Sequence, residues 1–386
     1  MSVRALVARW LRFEEAVGID LGSRAIKVAL VENVAGLLRL SHVASAPTPP
    51  GSIEGGLVKQ PAEVAGVIRT LMASLGKAPT QAITAVSGHN LVVRVLRMPL
   101  MRDHQLEQAV QMQAEELVPF PLVDAIIEHT VLRREPNGDP PGMDVAVVVV
   151  PHSMTEGRVA ALELAGLEPL AVDIEPFARM CSLLEVSTQT QLREEAVALI
   201  ELGAQSSELT IVEHGRLALT RALTFGGDSL TKVVAAATKL NEVEAELVKQ
   251  RDAIAIGLDQ IEAPECASPA ASLAMAPLVD SLVRQISHTV NSFRSQTPNA
   301  ARSEAAPLDR MLLSGGTALL PGLAALLEER IGVPAEIANL FRDTAVDCPS
   351  QVGPALAASG ALYSVALGLT LREHVRHGRH EWLVAA

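Results

Sequence analysis

Residues 18–32 read GIDLGSRAIKVALVE, a pattern typical of two β-strands joined by a tight turn. Asp20 precedes the turn, Gly22 and Ser23 form it, and Lys27 follows on the second strand. A triphosphate needs backbone N–H groups that it can reach without an intervening Cβ, and an acid that holds the waters of a bound Mg²⁺. The segment therefore indicates a phosphate-binding hairpin. Because glycine and serine are also common turn residues, these residues alone equally allow a hairpin without a ligand.

Length and composition narrow the class of protein. A chain of 386 residues is too long for one ordinary core, so we expect two domains. Aromatic residues make up only 2% of the chain, which argues against a site that stacks bases on several rings. The formal net charge of −12 argues against a surface that follows the phosphates of DNA or RNA. We therefore expect no nucleic-acid partner.

The cysteines predict a protein of a reducing compartment, and the apolar segments predict one that does not span a membrane. Cys181, Cys266 and Cys348 lie far apart without a CxxC spacing, so neither a zinc site nor a disulfide framework is indicated. The longest apolar run, VAVVVV at residues 145–150, has the length of a strand and not of a membrane span. We therefore expect a cytoplasmic protein without a membrane-spanning segment.

The first residues carry an apolar stripe at helical spacing. The stripe consists of Val3, Leu6, Val7, Trp10 and Leu11. Arginines fall beside or opposite it, as in helices that lie on a membrane surface. The segment 1–15 is therefore predicted to be amphipathic, and residues 1–14 either contact a membrane or pack on the protein's own surface.

The strand and turn pattern of the first hairpin recurs in the second half of the chain. AVALIELGAQSSELTIVEHG begins at residue 196 and places Glu201 before Gly203, as Asp20 stands before Gly22. Two related α/β halves would make these carboxylates face one triphosphate from opposite sides.

The Ala-, Pro- and Ser-rich stretch at 263–277 is predicted to be a loop, and the apolar segment near the C-terminus is predicted to be a helix that returns to the first half.

Four separated motifs resemble, in order, those of the actin-like ATPase superfamily. GIDLGSRAIK at 18–27 and IELGAQSSEL at 200–209 are similar to its two phosphate motifs. VDIEPFARM at 172–180 resembles its connecting helix, and LLSGGTALLPGL at 312–323 resembles its adenosine motif. The resemblance implies an α/β, actin-like (ribonuclease H-like) two-domain ATPase fold with a small inserted α/β subdomain, and it implies ATP and Mg²⁺ as cofactors.

The same resemblance implies limits for the domains. The segment 1–15 is set apart by its apolar stripe and not by the resemblance. Domain I would cover 16–195 with an inserted subdomain at about 80–170. Domain II would follow at 196–350. Residues 351–386 would return to domain I and form the C-terminal tail.

The resemblance also assigns roles to particular residues. Asp20 and Glu201 would hold Mg²⁺ through water. Glu175 would orient the attacking water, and Asp173 is a weaker candidate for that role. The catalytic candidates are therefore Glu175 and Glu201. Glu246 and Lys249, spaced i to i+3, would grip ribose and adenine, or else form an exposed ion pair within one helix. The residues expected to touch the nucleotide are Asp20, Gly22, Ser23, Lys27, Gly203, Ser206, Ser207, Gly227, Glu246, Lys249, Gly315, Gly316 and Thr317.

One residue departs from the superfamily pattern. The second phosphate motif usually carries aspartate, whereas this chain has Glu201. The charge is kept but stands one methylene further out. Because the geometry around a reacting phosphate tolerates little displacement, nucleotide binding is better supported than rapid hydrolysis, and we expect slow turnover.

Residues outside these motifs resemble the PilM family of type IV pilus assembly. Met98 and Pro99 precede an acidic helix that ends in Pro119, Phe120 and Pro121, and the likeness runs from about residue 16 to 372. It implies a cytoplasmic protein, peripheral at the inner membrane, that binds the N-terminal tail of a PilN-like membrane protein in a nucleotide-dependent way and meets other pilus components. An FtsA-like membrane-associated filament protein and a nucleotide-free scaffold of a related secretion system remain the alternatives.

Overall fold

The structure is a computed structural model that describes part of the chain. The described residues are 16–75, 79–118, 120–138, 140–260, 264–296, 308–341, 343–348 and 359–376. The amphipathic segment predicted at 1–15 and the tail beyond residue 376 lie outside them.

The described chain contains both strands and α-helices. The strands are β1 (Ala16–Leu21), β2 (Ala25–Val34), β3 (Leu37–Pro47), β4 (Ile53–Glu54), β5 (Leu57–Val58), β6 (Gln81–Val86), β7 (Val92–Met98), β8 (Ala125–Glu135), β9 (Gly142–Pro151), β10 (Glu168–Ile174), β11 (Ala196–Leu202), β12 (Ser207–Glu213), β13 (Arg216–Leu223), β14 (Arg310–Ser314) and β15 (Ala335–Ile337). The α-helices are α1 (Pro61–Ala73), α2 (Asp103–Leu117), α3 (His152–Leu164), α4 (Glu175–Met180), α5 (Gly227–Thr238), α6 (Glu242–Arg251), α7 (Pro269–Gln296), α8 (Leu323–Ile331) and α9 (Ser364–Arg376). Shorter helical turns lie at Leu122–Asp124, Cys181–Glu185, Thr190–Arg193, Gly316–Leu319 and Gly360–Tyr363.

The first half is built on a five-stranded sheet in the order β10, β6, β1, β2, β3. Strand β1 pairs antiparallel with β2 and parallel with β6. All of β1 is buried because both faces of the sheet are covered. Val17 and Ile19 pack with Val64 and Ile68 of α1, whereas Ala16 packs on the opposite side.

The second half repeats this arrangement. Its five-stranded sheet has the order β13, β12, β11, β14, β15. Strand β11 pairs antiparallel with β12 and parallel with β14, as β1 pairs with β2 and β6. Helices α5, α7 and α8 contribute to the core on one face. The duplicated halves that the sequence predicts are confirmed.

A separate three-stranded sheet, in the order β7, β9, β8, extends from the first half. Helix α2 covers one of its faces through Leu106, Val110 and Ala114. The neighbouring strands β6 and β10 belong to the five-stranded sheet. The domain limits proposed from the sequence remain a proposal.

The Ala-, Pro- and Ser-rich stretch differs from the prediction. Its residues from Pro269 onward form the first turns of α7, with Pro277 inside the helix. Ala271 and Met275 are fully buried in the core of the second half. Alanine favours helix, and this burial outweighs the hydrogen bond that Pro277 cannot donate. The loop prediction for this part of the stretch is therefore wrong.

Helix α9 returns to the first half, as predicted, and packs against β1 at very short range. A Cβ on Gly18 would lie 2.1 Å from the carbonyl oxygen of Ala366. The Thr370 hydroxyl donates to Ala16 O at 3.1 Å and accepts from Val31 N–H at 3.2 Å.

In the described part of the chain, no helix combines the length and apolar character needed to cross a bilayer.

Candidate functional site

A cleft of about 650 Å³ opens between the two halves. Nearly all of the residues predicted from the motifs line it. These are Asp20, Gly22, Ser23, Lys27, Glu175, Glu201, Gly203, Ser206, Ser207, Gly227, Glu246, Lys249, Gly316 and Thr317. Gly315, which was also predicted to touch the nucleotide, does not line the cleft. The fold thus brings together side chains that are spread over almost the whole sequence.

The first hairpin places an ion pair in the cleft. Asp20 on β1 and Lys27 on β2 are directly opposite in the strand register. Lys27 Nζ lies 2.7 Å from Asp20 Oδ2, and both side chains are mostly buried. Burial lowers the pKa of Lys27, but the charge and hydrogen bond of Asp20 outweigh it, so that the pKa is raised overall. The cleft therefore contains a fixed positive charge beside a carboxylate.

The second hairpin forms a tight turn that supports helix α5. Gly203 N–H donates to Ser206 O at 3.1 Å, and Gly227 N–H donates to Gly203 O at 3.0 Å. The Thr317 hydroxyl donates to the same Gly203 carbonyl at 3.0 Å. A Cβ on Gly227 would lie 2.3 Å from Thr317 Oγ1. Because Gly203 and Gly227 have no side chains, the second turn, the start of α5 and the adenosine-type motif at 312–323 meet at one point.

Glu201 is held by hydroxyl groups. Ser314 donates a short hydrogen bond to Glu201 Oε2, and Ser364 donates to the same oxygen at 3.3 Å. Burial raises the pKa of Glu201, while Arg179 and the Ser314 hydrogen bond oppose the rise. Gly315, at φ +87°, gives this carboxylate room, since a Cβ there would lie 2.6 Å from Glu201 Oε1.

Glu175 belongs to a buried charge network that links the two halves. Arg179 Nη1 lies 3.3 Å from Glu175, and Arg179 Nη2 lies 2.8 Å from Glu208 on β12. Glu208 also accepts hydrogen bonds from Thr210 and Thr220. Burial, followed by the nearby charge of Asp20, raises the pKa of Glu175 to about 7, against the attraction of Arg179.

Glu246 and Lys249 do not form the exposed surface pair that their spacing also allowed. Lys249 is buried, with Nζ at 2.7 Å from Glu246 Oε2. The same ammonium donates to Gly227 O at 3.2 Å and to the Thr231 hydroxyl at 3.0 Å. Burial raises the pKa of Glu246, but the hydrogen bonds from Lys249 and Thr231 lower it overall. The pair is part of the wall of the cleft.

Two contacts that the sequence does not indicate cross the mouth of the cleft. Arg24, in the first turn, lies 2.8 Å from Asp228 at the start of α5. Gly55 N–H, between β4 and β5, donates to the side chain of Gln205 in the second turn at 3.1 Å. The first contact joins the first turn to α5, and the second joins the β4–β5 turn to the second phosphate-type turn.

Direct coordination of a metal by side chains is not supported within the described residues. They contain no group of three or more His, Cys, Asp or Glu side chains that could hold a metal ion. Mg²⁺ commonly binds one or two carboxylates, waters and substrate phosphates. The roles of Asp20 and Glu201 as ligands through water remain predictions.

The two sheets, each with a strand–turn–strand hairpin at a common cleft, define a protein of the actin-like fold. Residues 18–374 match the family described as type IV pilus assembly protein PilM, and the chain belongs to this family. A solved structure titled "PilM-PilN type IV pilus biogenesis complex" contains a chain 26% identical to this one, with a TM-score of 0.78. The likeness covers 94% of this chain and 99% of that chain.

More distant relatives agree with the fold. Cell division protein FtsA of Escherichia coli is 26% identical over 214 residues, which is 51% of this chain and 50% of that protein. The match thus spans about half the length of that relative. FtsA of Pseudomonas aeruginosa is 23% identical over 84% of both proteins. The ethanolamine utilization protein EutJ of Carboxydothermus hydrogenoformans has a TM-score of 0.54 at 17% identity and covers 94% of this chain and 90% of that one, which supports the fold alone.

Proposed function

We propose that this type IV pilus assembly protein binds ATP with Mg²⁺ in its cleft, and that occupancy of the cleft changes how it holds the N-terminal tail of a PilN-like membrane protein. The observation that carries the nucleotide part is the pair of opposed hairpins, with Asp20 and Lys27 on one side and Gly203 on the other. The test is equilibrium binding of a fluorescent ATP analogue and of a partner-tail peptide to wild type and Asp20→Ala.

The chemistry of the cleft suits a nucleoside triphosphate. The Lys27 ammonium supplies a compact positive charge for phosphate oxygens. The turns at Gly22 and Gly203 expose backbone next to the cleft, and the start of α5 adds the positive end of a helix. Bound Mg²⁺ would supply charge neutralisation of the phosphates, with Asp20 and Glu201 holding its waters.

Another part of the cleft, next to the start of α5, suits a nucleoside. Gly316 and Thr317 lie there beside the Glu246 and Lys249 pair. A carboxylate can accept hydrogen bonds from ribose hydroxyls, while backbone at the glycine can lie against a flat base. Gly315 acts indirectly in this scheme, because its conformation makes room for Glu201.

The partner part of the proposal rests on family membership and on the chain path between two sites. Ser87 and Gly88 follow β6 and line the cleft. The chain then enters β7, which is an edge strand of the three-stranded sheet. An extended peptide that binds such a sheet would gain backbone hydrogen bonds and pockets for its side chains. In this proposal the tail binds on this sheet, and a ligand that moves residues 87–88 would alter the tail's site through β7.

Turnover in this proposal is slow, and we expect it to rise with pH. Glu175 can orient an attacking water only as a carboxylate, and its pKa of about 7 leaves it mostly protonated at pH 6 and mostly ionised at pH 8. The ATPase rate constant should increase about tenfold between these pH values. Steady-state phosphate release at saturating MgATP measures it. Glu175→Gln should bind ATP and show neither the turnover nor the pH dependence; unchanged turnover in this variant would remove Glu175 from the reaction.

Contact with the membrane is a separate proposal, which would make the protein peripheral at the cytoplasmic face of the inner membrane. It rests on the apolar stripe with arginines in the segment 1–14. We expect wild type to float with liposomes of anionic phospholipid and expect a variant without residues 1–14 to float several-fold less. Salt should weaken the effect, since arginines contribute to it. Equal flotation of both proteins would end this proposal.

A further inference from the structure

A second cation faces the cleft from a helix that no motif marks. Arg158 lies in the middle of α3, is only 1% exposed, and contributes to the lining of the cleft. It is among the largest fully buried side chains described. Burial of a guanidinium is costly unless its charge and its N–H groups are satisfied.

The contacts of Arg158 satisfy only part of its guanidinium. Nε donates to Ala85 O at 2.8 Å, while Nη1 donates to Gly56 O at 2.6 Å and to Met154 O at 2.8 Å. These carbonyls fix the group between the end of β6 and the β4–β5 turn. Among the described residues, Nη2 donates no hydrogen bond and no carboxylate lies within 4.0 Å of the guanidinium. The side chain is thus held rigidly while one nitrogen and the full charge remain available.

Hydrogen bonds place Arg158 near the second phosphate-type turn, because Gly56 O accepts from Nη1 and the neighbouring Gly55 N–H donates to Gln205 of that turn. Burial lowers its pKa to about 10, and the charges of Glu175 and Asp20 act in the opposite direction. A pKa of about 10 keeps the guanidinium protonated at neutral pH. The acids that act on it are those predicted to meet the attacking water and Mg²⁺, whereas Glu246 and Lys249 mark the nucleoside end. An anionic group near Arg158 would therefore be the phosphate furthest from the nucleoside.

We propose that Arg158 is a positioning residue for the terminal phosphate of the bound triphosphate, with Nη2 as the donor. The inference rests on the proposed binding of ATP and adds a means of distinguishing ATP from ADP. A charged N–H donor that meets a phosphate oxygen in a water-poor site is among the stronger hydrogen bonds in proteins. ADP lacks the group that Nη2 would reach, so Arg158 would contribute little to its binding.

The test compares dissociation constants for ATP and ADP, both with Mg²⁺, by titration calorimetry. Arg158→Gln should weaken the binding of ATP about 10- to 100-fold and the binding of ADP less than about threefold. Arg158→Lys, which keeps the charge but not the fork geometry, should weaken ATP by at least about threefold and leave ADP unchanged. Arg193→Gln is the matched control, because Arg193 also donates to backbone carbonyls, of Leu184 and Glu185, and does not line the cleft.

The outcomes separate this inference from the proposal on which it rests. If wild type binds no nucleotide, the proposed function fails and the inference fails with it. If wild type binds ATP and the Arg158 variants lose affinity for ATP and ADP equally, the inference alone is overturned. Arg158 would then only link the β4–β5 turn to β6 through its hydrogen bonds. If Arg158→Gln does not fold, the test rests on Arg158→Lys. The inference is overturned if that variant has the same ratio of ATP affinity to ADP affinity as wild type.

Discussion

Asp20→Ala is expected to weaken binding of a fluorescent ATP analogue in the presence of Mg²⁺ by about 100-fold. Two effects combine in this variant. The carboxylate that would hold the metal-bound waters is lost, and Lys27 Nζ loses its partner at 2.7 Å in a mostly buried site. Asp20→Asn keeps the shape of the side chain, so it isolates the contribution of the charge.

The same titrations contain their controls. Chelation of Mg²⁺ should weaken binding to wild type and have little further effect on Asp20→Ala. Glu32→Ala, in which the lost carboxylate lies on β2 outside the cleft and accepts from the Ser41 hydroxyl, should bind like wild type. If wild type shows no Mg²⁺-dependent binding, the nucleotide-free scaffold becomes the better description. If Asp20→Ala binds as wild type does, the first hairpin is not the phosphate site.

A partner-tail peptide adds the second half of this test. Its affinity for wild type should change when MgATP is added, because residues 87–88 connect the cleft to β7. In Asp20→Ala the affinity should no longer depend on MgATP, while binding of the peptide itself persists. If the affinity of wild type for the peptide is the same with and without MgATP, partner binding does not depend on the nucleotide.

The largest loss of folding stability is expected for Gly368→Ala. A Cβ at Gly368 on α9 would lie 1.8 Å from the carbonyl oxygen of Ala178 and 2.4 Å from its carbonyl carbon. These are backbone atoms of α4, the helix that begins with Glu175, so neither helix can withdraw without disturbing the core and the cleft. Overpacking against backbone should cost about 3 kcal/mol or more of unfolding free energy. The gain of about 1 kcal/mol from alanine in a helix does not offset it.

Chemical denaturation followed by circular dichroism measures this loss. Gly66→Ala is the matched control, since Gly66 is also helical and a Cβ there meets only Arg69 Nη2 at 3.9 Å. That variant should gain about 0.5–1 kcal/mol. If Gly368→Ala unfolds at the same denaturant concentration as wild type, the packing of α9 on α4 is looser than described.

The sequence predicts the duplicated hairpins and most of the cleft because these features are local. An acid, a glycine turn and alternating apolar residues within about ten positions are enough to indicate a strand–turn–strand unit. The return of the last helix was also predictable from its apolar character. Membership of the PilM family and the actin-like fold, both predicted from motifs, are confirmed.

The sequence does not reveal groups whose role depends on packing between distant segments. Arg158 and Arg179 stand inside helices, where arginine is usually a solvated residue, and only the tertiary structure buries them. Glu208 lies within the second phosphate motif but was given no role there, yet it joins β12 to α4. The residues from Pro269 were predicted as loop because composition suggested it, whereas their burial depends on a core assembled from elsewhere.

The packing of α9 on β1 also affects the order in which the protein can be completed during synthesis. Strand β1 is among the first described elements to leave the ribosome, but the helix that covers one of its faces ends at Arg376. All strands of the second sheet, from Ala196 to Ile337, are made in between. The apolar strand with the phosphate-type turn therefore stays partly uncovered in the nascent chain until α9 has been made.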